Sequence, residues 1–239
     1  MPSPAGQDDP ERRWGLLDVL GWFMVAQIGS GLWAALVLGP LAGPLRAGSI
    51  ESPTIAGLFF GAFVLWFAYG LGPIITVRSR GRGPVADLGT GIKATDVPIG
   101  LALGVFLQWP VLTALYFPIL RFVDGDPSGE AKELADRASG PSNAILLIIL
   151  AGIMAPLVEE LFFRGFLLRG LLRSMSPWVA VVVQAVVFAA VHLQPLQFPG
   201  LLVVGLATGA VAVRTGRLGM CWAIHAGFNG LTLLALLLS

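Results

Sequence analysis

Four continuous apolar runs, Leu16 to Leu38, Ile55 to Val77, Val97 to Leu120 and Asn143 to about Phe163, are each long enough to cross a hydrocarbon core of about 30 Å at 1.5 Å per residue. A segment of that length in lipid satisfies its own backbone only as a helix. Three further runs, Trp178 to Val191, Leu201 to Val213 and Leu218 to Leu238, are separated by Pro195, Pro199 and several glycines, and only the last has full spanning length. The predicted fold class is therefore all-α, a polytopic transmembrane helical bundle of about seven spans. Composition agrees, because 12% of the 239 residues are charged, about half the ~25% of an ordinary globular domain. A hydrophobic fraction of 56% excludes disorder. The single cysteine, Cys221, excludes a disulfide scaffold. A net charge of +1 gives no footprint for a nucleic-acid partner.

The polar stretch Met1 to Arg13 lacks a basic n-region and a small-residue cleavage site, so no signal peptide is expected. Arg12 and Arg13, then Arg78, Arg80, Arg82 and Lys93, then Arg169 and Arg173, and finally Arg214 and Arg217 fall on one side of a seven-span topology. The loop from Arg121 to Pro141 carries Asp124, Asp126, Glu130, Glu133 and Asp136 against only three basic residues. The positive-inside rule then predicts an integral membrane protein with the N-terminus cytoplasmic and the C-terminus outside, and the composition suggests a prokaryotic cell membrane. Small-residue pairs, Gly57 with Gly61, Gly100 with Gly104, and Gly205 with Gly209, predict close helix approach. Gly29-Ser30-Gly31 lacks the Gly-x-Ser-x-Gly pattern and reads as another packing site.

Ionisable groups at membrane depth cost about 2.5 to 3.5 kcal/mol each, so where they cluster a functional site is expected. The chain has two histidines, His192 and His225, and both lie in apolar segments. Glu159 and Glu160 are adjacent, about 100° apart on a helix, and Glu160 with Arg164 forms an i, i+4 pair in the favourable order. Glu160 is thus the carboxylate that Arg164 neutralises, and Glu159 is free to face a reaction site. Phe188 precedes His192 by one turn, and His225 shares a helix face with Asn229. Each piece has a plainer reading: an interfacial charge cluster, a buried hydrogen-bonding histidine, interhelical glue. Together they supply the parts for amide hydrolysis, with a carboxylate to activate water and His and Asn donors for the oxyanion. Glu159, His192 and His225 equally suit a two-histidine, one-glutamate site for a catalytic Zn²⁺. Spacing does not choose between them. Cys221, four residues before His225, reads as a packing residue rather than a nucleophile.

The ordered set Glu159-Glu160-x-x-x-Arg164, Phe188-x-x-x-His192 and His225-x-x-x-Asn229 resembles the signature of the CPBP intramembrane proteases, the CAAX prenyl protease and bacteriocin-processing (Abi) family. The resemblance covers about Asn143 to Leu238. It divides one membrane domain into a polar tail over 1–13, N-terminal spans over 14–141 and a catalytic membrane region over 142–239. It implies an endopeptidase acting on a peptide or membrane-protein substrate, lipidated in the CAAX case, within the bilayer and near its cytoplasmic face. Glu159 then resembles the water-activating glutamate, and Glu160 with Arg164 its supporting pair. His192 would position the glutamate or water, and His225 with Asn229 would form the oxyanion site. Family members are also described as metalloproteases. A non-catalytic scaffold or bacteriocin-immunity protein of the same fold is the alternative, and a proton-coupled transporter a third. Entered near Pro177, the fifth span would place His192 about 22 Å along its helix, deeper than Glu159 and His225.

Overall fold

The computed structural model describes residues 14–46, 57 and 60–238, so the polar tail lies outside the described residues. The described chain is helical, without strands, in the order α1 (Leu16–Arg46), α2 (Phe63–Arg80), α3 (Asp96–Ile119), α4 (Gly129–Arg137), α5 (Pro141–Leu171), α6 (Pro177–Ala190), α7 (Phe198–Thr215) and α8 (Gly219–Leu237). This is the expected all-α polytopic bundle. Five of these helices, α1, α3, α5, α7 and α8, are long and apolar enough to cross a membrane. α6 spans only 14 residues, about 21 Å. It is therefore shorter than the hydrocarbon core and leans on its neighbours. α2 ends in Arg78 and Arg80, and half of Ile55 to Ala62, the start of the expected second run, lies outside the described residues. Two lengths differ from expectation. α1 continues to Arg46, and α5 passes Phe163 to reach Leu171.

The extension of α5 has a physical cause. Glu160 and Arg164, which look like a helix leaving the membrane, are 1% and 0% exposed and neutralise each other inside the protein. Glu159 consequently lies about 18 Å from the Leu171 end. His192, at the far end of α6, lies at a comparable depth, which removes the expected mismatch between them.

Helix packing follows the small residues. A Cβ on Gly104 would stand 2.1 Å from the Ile224 carbonyl oxygen, and one on Gly227 2.7 Å from that of Leu101. α3 and α8 therefore touch backbone to backbone, and only glycine permits this approach. The Gly205 and Gly209 pair seats α7 on Ala185 and Gln184 of α6 in the same way. Among the described residues nothing stands within 4 Å of a Cβ on Gly61, whereas Gly29 rests against Val64 of α2. α5 contains two wide, π-type turns, over Ile148–Met154 and Leu161–Leu167, the first just ahead of Pro156. Proline lacks the N–H that would continue the ladder. Carbonyls of the first wide turn bond to α8 side chains, Ala151 to Asn229 at 3.1 Å and Ile153 to Trp222 at 3.1 Å.

The loop expected between the third and fourth spans contains α4, whose Leu134 and the following Ala138 pack with Leu147 and Leu233. An apolar stripe on a short polar helix is enough to fold it down onto the end of the bundle.

Candidate active site

The site is built around Phe188, wholly buried on α6. The Arg164 guanidinium lies 4.3 Å from its ring centroid, and the rings of His192 and His225 stand against its edges at 4.9 and 5.6 Å. Behind it, Phe163 packs at 5.1 Å and leads through Phe162 to Tyr69 of α2. One aromatic side chain thus fixes three motif residues. Aromatic contacts of this kind are worth about 0.5 to 1.5 kcal/mol each beyond the area they bury.

The two glutamates have different surroundings. Glu160 Oε1 forms an ion pair with Arg164 Nη1 at 2.9 Å and accepts from His225 Nδ1 at 2.9 Å, in a position closed to solvent. Glu159 is 22% exposed at its side chain, and its Oε2 lies 3.9 Å from His225 Nε2. That gap is too long for a direct hydrogen bond. The imidazole therefore links the buried carboxylate to the open one, with Nδ1 fixed as donor and Nε2 turned to Glu159. His192 Nδ1 donates to the Phe188 carbonyl at 2.7 Å, since a carbonyl can only accept. Its Nε2 is left for the cavity side. Just beyond it Leu193 has φ +56°, a left-handed conformation costly for a leucine, where the chain turns sharply out of α6.

A cavity of about 440 Å³ is lined by Glu159, His192, His225 and Asn229. These four expected site residues converge on one space from α5, the end of α6 and α8. Glu160 and Arg164 are not in its lining. Asn229 commits one amide hydrogen to Ala151, so it pins α8 as well as facing the cavity. Gln108, Tyr116, Asp126, Glu130 and Gln194 also line the space and were not expected there. A glutamine within an apolar run, two residues ahead of Pro110, is the one sequence signal that singles out Gln108.

α3 and α6 both run away from the arginine-bearing loops, and the cavity reaches the α3–α4 loop and the α6–α7 turn. It therefore opens on the side opposite those loops. If they are cytoplasmic, the expected position near the cytoplasmic face does not hold.

Among the described residues, no three His, Cys, Asp or Glu side chains are gathered closely enough to hold a metal ion. Glu159, His192 and His225 do not form such a group here; each imidazole spends Nδ1 within the protein and keeps Nε2 for the cavity side.

No curated protein and no solved structure matches the chain. Residues 141–231 match the family model for type II CAAX prenyl endopeptidases, Rce1-like. That segment contains all three motifs and runs from the start of α5 into α8. Over that segment the chain is similar to the CPBP/CAAX family of intramembrane proteases.

Proposed function

We propose that this protein hydrolyses a peptide bond within the bilayer using a water activated by Glu159. The observation that carries this reading is the division of labour between adjacent carboxylates, one open to a cavity of about 440 Å³ and one paired and sealed behind it. Glu159 takes a proton from water as the hydroxide oxygen adds to the scissile carbonyl carbon. The C–N bond then breaks, and the proton held by Glu159 passes to the departing amine. Asn229 has a second amide hydrogen for the oxyanion, and His225 stands beside it with Nε2 turned to Glu159. Glu160, held by Arg164, fixes the orientation of the His225 ring. His192 offers Nε2 to the water. The substrate is a peptide or a membrane protein that enters laterally or from the cavity mouth.

The experiment is cleavage of a hydrophobic peptide by the purified protein in nanodiscs. Glu159→Gln should lower kcat by about a thousandfold, within the range for a lost general base. Undiminished cleavage by that variant would remove the proposed base. The orientation belongs to the same reading, with the N-terminus cytoplasmic and the cavity opening outside. A cysteine at Ser128, in a chain whose Cys221 is replaced, should react with a membrane-impermeant maleimide in intact cells. Labelling only after permeabilisation would reverse the orientation.

A further inference from the structure

α3 is held differently at its two ends. Its first half is locked to α8 through Gly100 and Gly104, where an added Cβ would stand 2.5 Å from Ala223 Cβ and 2.1 Å from the Ile224 carbonyl oxygen. A wide π-type turn follows over Leu107–Val111, with Pro110 inside it. Such turns and prolines are where helices bend. Beyond the turn, the second half of α3 is tied to the α6–α7 turn by one side chain. The Tyr116 hydroxyl donates to the Leu196 carbonyl at 2.8 Å and accepts from the Gly200 N–H, in the first turn of α7, at 3.1 Å. Among the described residues no other hydrogen bond joins α3 to that turn or to α7. Contact there is close, since a Cβ on Gly200 would stand 3.0 Å from the Tyr116 hydroxyl and 3.3 Å from Leu112 Cδ1.

The cavity lies directly behind this seam. Leu112 and Tyr116 of α3 and Gly200 and Leu201 of α7 are all in its lining, while Trp109, Phe117 and Leu120 are exposed on the lipid side of α3. Counted from Asp96 at 1.5 Å per residue, Gln108 lies about 18 Å along α3 and Tyr116 about 30 Å. The bend is therefore level with Glu159, and the tyrosine clasp stands near the outer face. The closed seam also carries a cost. Gln108 on α3 and Gln194 in the α6–α7 turn each bury a carboxamide oxygen with no hydrogen-bond partner among the described residues, and parting the seam would let water reach both.

We propose that Tyr116 is the latch of a lateral gate between α3 and α7, hinged at the wide turn, through which a membrane-spanning segment passes from lipid to Glu159. This rests on the peptidase reading and adds its substrate class and route. The gate itself is read by spin labels at Phe117→Cys and Val186→Cys, two lipid-exposed positions, in Cys221→Ala protein in zwitterionic nanodiscs. Loss of two hydrogen bonds in Tyr116→Phe should raise the ratio of longer to shorter distances about tenfold. Activity is read on two substrates with one scissile sequence, a full spanning segment and a peptide too short to span. Tyr116→Phe should raise the ratio of spanning to short-peptide kcat/KM about threefold or more. In Tyr116→Cys/Gly200→Cys protein, also carrying Cys221→Ala, a short reducible bis-thiosulfonate replaces the latch covalently. That ratio should then fall about tenfold or more and recover with reductant. An unchanged distance distribution in Tyr116→Phe, or a cleavage ratio unmoved by the variant or by the crosslink, would each overturn the inference. Failure of the unmodified protein to cut either substrate counts against the peptidase reading, while the spin-label distances still decide the gate.

Discussion

On the arginine-bearing side of the bundle several of the cations are answered within the protein. Arg217 grips the buried Asp96 at 2.9 Å, Arg169 donates to the Gly216 carbonyl at 2.7 Å, and Arg173 lies 4.1 Å over the Trp14 ring. Those ties clamp the starts of α3 and α8 and the end of α5 together. On the other side the acidic groups around α4 face a cavity instead. Charge at the closed end ties helices to one another, whereas at the open end Asp126 and Glu130 bond to Ser128 and Gln194 of the cavity wall. The buried pair Glu160 and Arg164 belongs with the closed end by its chemistry and with the open end by its position, one residue from Glu159.

The largest expected effect breaks that link. Arg164→Ala would leave Glu160 buried and unpaired, and removing one partner of a buried pair costs about 3 to 5 kcal/mol. Little folded protein should survive, as read by fluorescence-detected size exclusion. Arg164 Nε, Nη1 and Nη2 have no hydrogen-bond partner among the described residues, so its attachment is the ion pair and the Phe188 face. Replacing both members, as Glu160→Leu/Arg164→Met, should recover folding while cleavage stays low, because His225 loses the acceptor on Nδ1. Recovered cleavage in that double variant would deny Glu160 its orienting role.

A smaller effect, on geometry alone, is expected at Gly104. Leucine there would drive a side chain into the Ile224 and Phe228 backbone, costing about 3 kcal/mol or more by overpacking. It would also push α8, and His225 with it, away from α5. Gly61→Leu, at a glycine with no close neighbour among the described residues, should leave melting temperature and cleavage unchanged. Equal losses at the two positions would show that the comparison between a packed and an unpacked glycine is misplaced.

Much of this was legible in the sequence, and the misses have physical reasons. The apolar runs and their glycines specify the spans and the α3–α8 and α6–α7 contacts, because lipid removes most alternatives. The i, i+4 spacing of Glu160 and Arg164 anticipates their pairing. The same charged pair misleads about the end of α5, since periodicity does not say whether charge is met by water or by a partner. Gln108, Asp126 and Glu130 join the cavity through tertiary packing of α3 and α4, which no local spacing encodes. Gly61 has the same small-residue spacing as Gly104 and differs only in what stands opposite it.

The smallest expected effect concerns Cys221. It lies in α8 one turn before His225, fully buried, with its Sγ 3.3 Å from the Thr208 carbonyl of α7. That environment excludes water and substrate alike and leaves the sulfur a packing role. Cys221→Ala removes one sulfur atom and a weak hydrogen bond, so it should cost about 1 kcal/mol and change cleavage less than twofold. A nucleophilic thiol would instead lose activity by orders of magnitude. Stability and rate measured on the same preparation separate these outcomes. A small loss of stability with full activity places Cys221 with the closed, structural side of α8, one helical turn from the side that faces the cavity.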